Sequence, residues 1–400
     1  MAKKSRKIED KSQKLNVFFA ESSSQNWLGG LNYFTNLFIS LKTVSNPEIV
    51  PYILKPGNQA SNVLCRYAEV LPVKKTLTYY FIKKILYPAL HKNFDIRSYA
   101  VKHSSVKIDA VSHSDVSVNI PKILWIADFQ HIHLPQMFSE FQLKEREVNL
   151  RKAVEETDTV ILSSNDAFND FKQVYPDYVD KCEILHFVAI PDEDIYSKTD
   201  SISTATKEKY NLPEKYFYVP NQFWKHKNHK IVFEALHILK QQGLNVHVVF
   251  SGNTKDGRNP DYFDELVNYI KSNDIVENVH ILGIIERNEL FYLLRNCVSL
   301  INPSLFEGWS STVEEAKSIG KNCILSDLSV HREQNPPDSV YFPANDAQKL
   351  AELMKSNWLS RQGGNDTELE EAAKKALPER INEFGKTYQK ILLKTIAKTK

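Results

Sequence analysis

Short apolar runs alternate with stretches of helical periodicity along nearly the whole chain, and no other feature restricts its fold so strongly. LNVFFAE from Leu15, then LNYFTNLFISL, then EIVPYIL read as strand, helix and strand. Two strands joined through a helix run parallel, so the chain opens on a β-α-β unit. KILWIAD (122–128), DTVILSS (158–164) and CEILHF (182–187) continue as runs apolar enough to be covered on both faces, each followed by a loop or a helix-like stretch.

Between Pro191 and Asn211 this pattern stops. DEDIYSKTDSISTATKEKY is rich in Ser, Thr and charge and poor in apolar residues, the composition of a surface connection. The alternation restarts with YFYVPNQ (216–222), NVHVVFSG (245–252), NVHILGI (278–284), VSLINPS (298–304) and KNCILSD (321–327), with helices between them. In the first of those helices Ile231, Val232, Ala235, Leu236 and Leu239 share one face at helical spacing, as a helix covering a sheet requires. No internal repeat is visible. A chain of 400 residues is longer than one core usually organises. The expected architecture is therefore α/β, with two Rossmann-like domains, residues 1–200 and 201–375, facing each other across a cleft. The end, INEFGKTYQKILLKTIAKTK, reads as a basic amphipathic helix within 376–400, placed to pack back across the junction onto the first domain.

Composition closes off several classes of function. With 42% hydrophobic and 25% charged residues and no apolar run of bilayer length, the chain reads as a globular protein that does not span a membrane. The start, MAKKSRKIEDKSQKLN, is basic but has no apolar secretory core after it, so residence in the cytoplasm is expected. Cys65, Cys182, Cys297 and Cys323 lack the paired spacing of a zinc site, a redox motif or a disulfide framework, and are expected to be reduced core residues. A net charge of +2 argues against a general nucleic-acid binder. Locally the balance differs. Residues 74–107 hold eight Lys or Arg against one acidic residue, interleaved with Tyr79, Tyr80, Phe81, Ile85, Leu86 and Tyr87. Such a surface suits peripheral contact with anionic lipid at the inner face of the plasma membrane, or an acidic glycan. It equally suits a helix with a solvated lysine face over a buried aromatic one.

Open parallel sheets bind ligands beyond the carboxyl ends of their strands, where loops enter helices. The most informative junction follows VSLINPS, where the chain runs on as LFEGWSSTVEEAKSIGK. Ser311 and Glu314 have the spacing of a capping box and Gly320 suits a helix C-terminus, so the helix is expected to begin at Ser311 or Thr312. A helix start presents unpaired N–H groups and a partial positive charge. The amides of Ser311, Thr312 and Val313 can thus hold a phosphate without a metal ion, and Gly308 would let a ligand approach the backbone. Glu307, in the loop, and Glu315, in the first turn, can line one pocket and accept hydrogen bonds from sugar and ribose hydroxyls. Glu314 is read as complementing the helix dipole.

SLFEGWSSTVEEAKSIG resembles the E-x7-E signature of retaining family 4 glycosyltransferases, whose GT-B architecture is two facing Rossmann domains. In that family the first Glu faces the donor sugar and the second the donor ribose, while the backbone between them meets sugar and phosphate. The resemblance implies these roles for Glu307, for Glu315 and for the backbone of Gly308, Trp309, Ser310, Ser311 and Thr312. PNQFWKHKNHKIVFEAL resembles the family's segment in which an Arg and a Lys five residues apart neutralise the donor diphosphate. Gln222 and Lys227 stand at that spacing. Lys227 would stabilise the departing diphosphate, whereas Gln222 brings hydrogen bonds without charge, leaving Lys225 or a nearby Arg to compensate. Cations at a helix start oppose its dipole unless an anion sits there, so Lys225, Lys227 and Lys230 fit an anion site or, alternatively, a solvated helix start.

The first domain matches that family at two loops. SSSQNWLGGLNYF joins the first strand to the first helix, and its Gly29-Gly30 pair resembles the glycine loop beneath the donor phosphates. WIADFQHIHLP puts Asp128, His131 and His133 at another strand end and resembles the acceptor-side loop that carries a His. His131 would touch the transferred sugar, with Asp128 orienting it or binding acceptor; the alternative is a loop histidine that only satisfies backbone groups. The resemblance implies a metal-independent hexosyl transfer with retention, needing no cofactor beyond a nucleotide diphosphate sugar. The acceptor would be a glycan or lipid-linked glycan, in surface polysaccharide or lipopolysaccharide assembly. Two rivals stand beside it: a nucleotide-sugar 2-epimerase, which needs no acceptor, and a non-catalytic scaffold subunit that has kept the fold. A dehydrogenase ranks last, because SSSQNWLGGLNYF lacks the G-x-G-x-x-G spacing of a dinucleotide site.

Overall fold

The computed structural model describes residues 14–20, 28–54, 63–72, 83–84, 95–112, 116–192, 195 and 199–399. Two parallel sheets organise them. The first joins β1 (Lys14–Phe19), β2 (Glu48–Ile53), β3 (Glu69–Val70), β4 (Ala110–Ser112), β5 (Lys122–Ile126), β6 (Thr159–Leu162) and β7 (Cys182–Ile184) in the order β3-β2-β1-β4-β5-β6-β7. The second joins β8 (Phe217–Val219), β9 (Val248–Phe250), β10 (Val279–Ile281), β11 (Leu300–Asn302), β12 (Cys323–Ser326) and β13 (Val340–Phe342) in the order β10-β9-β8-β11-β12-β13. In each, the chain winds outward from its first strand and then jumps back to wind the other way. The crevice therefore opens between β1 and β4 and between β8 and β11.

Alternation of side chains along the strands feeds a core on each face of each sheet. Val17 and Phe19 pack with Leu37 and Phe38 of helix Leu28–Leu41, while Phe18 points the other way to Ala100 and Val111. In the second sheet Phe217 and Val219 meet Ile231, Val232, Ala235, Leu236 and Leu239 of helix His229–Gln241, and Tyr218 faces Leu293, Val313 and Ala316.

Part of the segment read as a surface connection, Thr199–Tyr210, is a helix, so a boundary at residue 200 cuts through it. Its scarcity of apolar residues misled, because polar anchors hold it. Lys209 Nζ and Tyr210 Oη donate to Glu289 at 2.7 and 2.9 Å. A boundary at 376 likewise falls inside the last helix, Thr367–Lys398, which starts where Asp366 accepts from the Leu369 amide at 3.1 Å. This helix ties both domains together. Glu370 pairs with Arg295 at 2.7 Å near its start. Further on, Phe384, Tyr388, Ile391 and Leu392 enter the first domain's core. Gly385 makes that crossing possible, since a Cβ there would lie 2.5 Å from the Ser40 carbonyl oxygen.

Most of the basic, aromatic stretch, residues 74–82 and 85–94, lies outside the described residues. Its one acidic residue, Asp95, caps the helix Ile96–His103. No described helix is long and apolar enough to cross a membrane. Cys297 and Cys323 are buried, whereas Cys65 and Cys182 are only half-buried, at the margin of the core.

Candidate active site

β8 and β11 are neighbours, and the segments that leave them, Pro220 to Lys227 and Pro303 to Ser310, pass over the crevice of the second sheet. A cavity of about 260 Å³ opens there against the first domain. Lys227, Glu307 and Glu315 all line it, as do Gln222, Trp309, Ser310, Ser311 and Thr312. From the first domain come Gly29, Asp128 and Gln130. Among the described residues no group of three or more His, Cys, Asp or Glu is placed to hold a metal ion.

Lys227 ends a single 3-10 turn, Lys225–Lys227, closed by Asn228 in the left-handed region at φ 58°. Asn228 Nδ2 donates to the carbonyls of Pro303 at 3.1 Å and Ala344 at 2.8 Å, which ties this turn to the loop after β11. Lys227 Nζ then reaches both carboxylate oxygens of Glu307, at 2.7 and 2.9 Å. Ser304 Oγ also donates to Glu307, at 2.7 Å. Glu307 is only 8% exposed. Burial alone would raise its pKa, but Lys227, His331 and Ser304 outweigh it and hold the group at about 2. The other two lysines do different things. Lys225 is exposed, and Lys230 pairs with Glu234 at 3.7 Å. Lys227 is thus the one Lys or Arg among the described residues lining the cavity. Gln222 accepts from the Asn253 amide at 2.9 Å.

The helix Ser311–Ile319 is capped by Ser310 rather than Ser311: Ser310 Oγ accepts from the Val313 amide at 3.4 Å and from Asn302 Nδ2 at 2.8 Å. The amide of Val313 is therefore spent, and those of Ser311 and Thr312, at the first two helical positions, are the ones a helix start leaves for an anion. The capping box fails because Glu314 turns away to Arg380 of the last helix, at 2.5 Å, and to Gln334, at 3.2 Å. Glu314 is a buried tertiary anchor, not merely a complement to the dipole. Gly320 does close the helix in the left-handed region, at φ 72°. Glu315 is buried and meets Arg287 at 3.3 Å. Burial raises its pKa, and Arg287 offsets this only in part. Arg287 escaped the sequence reading; it sits at the start of helix Arg287–Asn296 and donates also to the Ile190 carbonyl, at 3.1 Å.

Gly308 lines the cavity and also allows a close approach of the first domain. A Cβ there would lie 2.2 Å from the Ala127 carbonyl oxygen. Ser164 Oγ donates to the Gly308 carbonyl at 3.0 Å. Trp309 stacks on His186 at 4.6 Å and donates to the Phe187 carbonyl at 3.2 Å. The loop that carries Glu307 is held between the domains.

In the first domain Gly29 and Gly30 belong to the first turn of helix Leu28–Leu41 rather than to a loop; Gly29 lines the cavity and Gly30 is buried. Residues 21–27 of the proposed glycine loop lie outside the described residues. After β5, Asp128 accepts from Arg146 at 2.8 Å and from the Gln130 amide at 3.1 Å, and a single turn, Gln130–His133, follows. Successive residues of such a turn point about 100° apart. Gln130 alone of that turn lines the cavity; His131 and His133, expected there, do not. His133 pairs with Asp170 at 2.8 Å and packs on Phe306. His131 is half-buried, and burial together with Arg146 lowers its pKa. His226, also missed, lines the cavity; burial and Lys227 push it down to about 3, so its ring is neutral.

Residues 203–376 match the family model described as Glycosyl transferases group 1. None of the curated protein sequences matches the chain. Among solved structures, a glycosyltransferase from Rickettsia africae ESF-5 superposes with a TM-score of 0.66 over 96% of this chain and 99% of its own, at 14% identity. HepE of Anabaena, in complex with UDP and glucose, gives 0.65 over 94% and 98%, at 16% identity. WaaG, described as a glycosyltransferase involved in lipopolysaccharide biosynthesis, gives 0.56 over 93% and 95%, at 14% identity. At these identities the likeness establishes the fold, the GT-B architecture of two facing Rossmann-like domains. The family match over the second domain supports a glycosyltransferase.

Proposed function

We propose that the chain transfers a hexosyl group from a nucleotide diphosphate sugar to a glycan or lipid-linked glycan, with retention of anomeric configuration and without a metal ion, as enzymes with the E-x7-E motif do. The observation that carries this reading is the meeting of Lys227, Glu307, Glu315 and the first amides of helix Ser311–Ile319 in one interdomain cavity at the switch point of the second sheet.

The diphosphate lies against the amides of Ser311 and Thr312, with the helix dipole behind them. Lys227 faces the same space. Its ammonium has three protons, and the two oxygens of Glu307 engage at most two of them, so one is left for a phosphate oxygen. As the bond to the sugar breaks, Lys227 and the helix start stabilise the charge that develops on the leaving diphosphate. Glu307 keeps Lys227 charged and in place and accepts sugar hydroxyls. A carboxylate held near a pKa of 2 is weakly basic, which fits a binding group better than an attacking one. Glu315 takes the ribose hydroxyls, with Arg287 setting its position. The acceptor approaches from the first domain beside Asp128, and the contacts across the cleft exclude water that would hydrolyse the donor. The proposed setting is the cytoplasmic face of a membrane where surface polysaccharide or lipopolysaccharide is assembled, with 74–107 as the membrane-facing segment.

The test incubates the chain with UDP, ADP and GDP sugars and candidate glycan acceptors, and reads the product's anomeric configuration by NMR. An α-linked donor should give an α-linked product, and donor alone should stay unchanged. An inverted product contradicts retention, and isomerised donor without acceptor establishes the epimerase instead.

A further inference from the structure

We propose that Gln130 is the first domain's specificity-determining contact to the transferred sugar, and that Arg258 of the second domain is its positioning residue. This rests on the transferase reading above.

Gln130 and His226 both line the cavity, are only 7% and 6% exposed, and carry a buried polar atom with no partner in the protein: Nε2 of Gln130 and Nδ1 of His226. Leaving a buried donor unpaired is costly, so a side chain kept in that state by other bonds points to a partner supplied from outside. Gln130 is kept in that state. Its backbone amide donates to Asp128 at 3.1 Å, and its Oε1 accepts from Arg258 Nη1 at 3.0 Å. A guanidinium offers no acceptor, so the atom it meets must be the oxygen, and the NH2 is the end without a partner.

Arg258 is itself fixed. It stands in the loop after β9, where the buried carboxylate of Asp256 accepts from the amides of Lys225 at 3.0 Å and Arg258 at 2.9 Å, and from the Asn259 side chain at 3.0 Å. Its guanidinium lies 4.7 Å over the Phe138 ring of the first domain. Arg258 therefore crosses the cleft, and the orientation of the Gln130 amide depends on the two domains standing together. An NH2 group donates to an oxygen acceptor. The charged diphosphate already has Lys227 and the helix start, which leaves the hydroxyls of the sugar held by Glu307 in the same cavity. The domain that binds acceptor thus also reads the donor sugar, and does so only when the cleft is closed.

The test is calorimetry of UDP, ADP and GDP, and of UDP-glucose, UDP-galactose, ADP-glucose and GDP-mannose. It is run on the full chain and on its Gln130→Ala, Gln130→Met, Arg258→Ala and Arg258→Lys variants, after thermal denaturation has shown which of them fold. Wild type should bind one diphosphate and its sugar conjugate. Gln130→Ala, or the better-filling Gln130→Met if alanine fails to fold, should weaken the conjugate about tenfold and leave the diphosphate within about twofold. Arg258→Ala should weaken the conjugate about threefold, and Arg258→Lys, which still donates to Oε1, should restore it. Equal losses for diphosphate and conjugate, or no loss in either, overturn the role of Gln130 while the transferase reading stands. Wild-type affinity in Arg258→Ala overturns the positioning role. Failure of wild type to bind any of these ligands overturns the transferase reading and this inference together.

Discussion

Glu307 and Lys227 depend on each other, and the dependence can be read from pH. Folding lowers the Glu307 pKa from its ordinary 4.5 to about 2, so the fold favours the ionised form. That contribution to stability is complete above the unfolded-state value and is lost as pH falls through the folded one. Between about pH 4.5 and 2 the melting temperature of wild type should therefore drop more steeply than that of Glu307→Gln. Lys227→Ala leaves a buried carboxylate without its cation. Urea titration at neutral pH should show a loss of about 3–5 kcal/mol, and turnover of whatever remains folded should fall at least about a hundredfold. Both residues were visible in the sequence as motif positions, but their ion pair was not. It depends on the left-handed turn at Asn228 and on its bonds to Pro303 and Ala344, contacts that join distant parts of the chain. The exchange of Gln130 for His131 has a similar origin: which residue of a single turn faces the cleft depends on where the turn starts, and the sequence does not mark that.

Helix Ser311–Ile319 is short, and its cap is correspondingly important. Ser310→Ala should cost about 1 kcal/mol in denaturant unfolding, whereas Ser311→Ala, removing a hydroxyl that caps nothing, should cost only a few tenths. Equal losses would restore the capping box read from the sequence. The two serines are adjacent, and what favours Ser310 is a tertiary bond, from Asn302 at the end of β11. Elements with long apolar runs were legible along the whole chain. Strand β3 was not, because two exposed residues carry too little pattern, and neither β4 nor β13 was read. Helix Thr199–Tyr210 was hidden because its sequence is poor in apolar residues, and its end is anchored by Lys209 and Tyr210 on Glu289.

At the scale of the whole molecule, the order of the strands in the second sheet determines where the site must be, and the last helix holds the two domains in register around it. The domain count and the facing sheets were legible because the alternation stops once and restarts. The contacts across the cleft were not, since His186 on Glu333 at 2.7 Å and Trp309 on His186 join residues whose sequence neighbourhoods carry no sign of one another. Gly308 tests that closure. Gly308→Val would force side-chain atoms into the Ala127 carbonyl, so transfer should fall about tenfold or more while the melting temperature changes little. Unchanged transfer would mean that the cleft works without this contact. The central claim is that a diphosphate is held by Lys227 and the start of helix Ser311–Ile319. The most direct measurement is a calorimetric titration of UDP, ADP and GDP, with chelator present, into wild type, Lys225→Ala and Lys227→Ala. Wild type and Lys225→Ala should bind one of the three alike, and Lys227→Ala at least about tenfold more weakly. Equal affinity in all three proteins would contradict the account, and so would the absence of any binding.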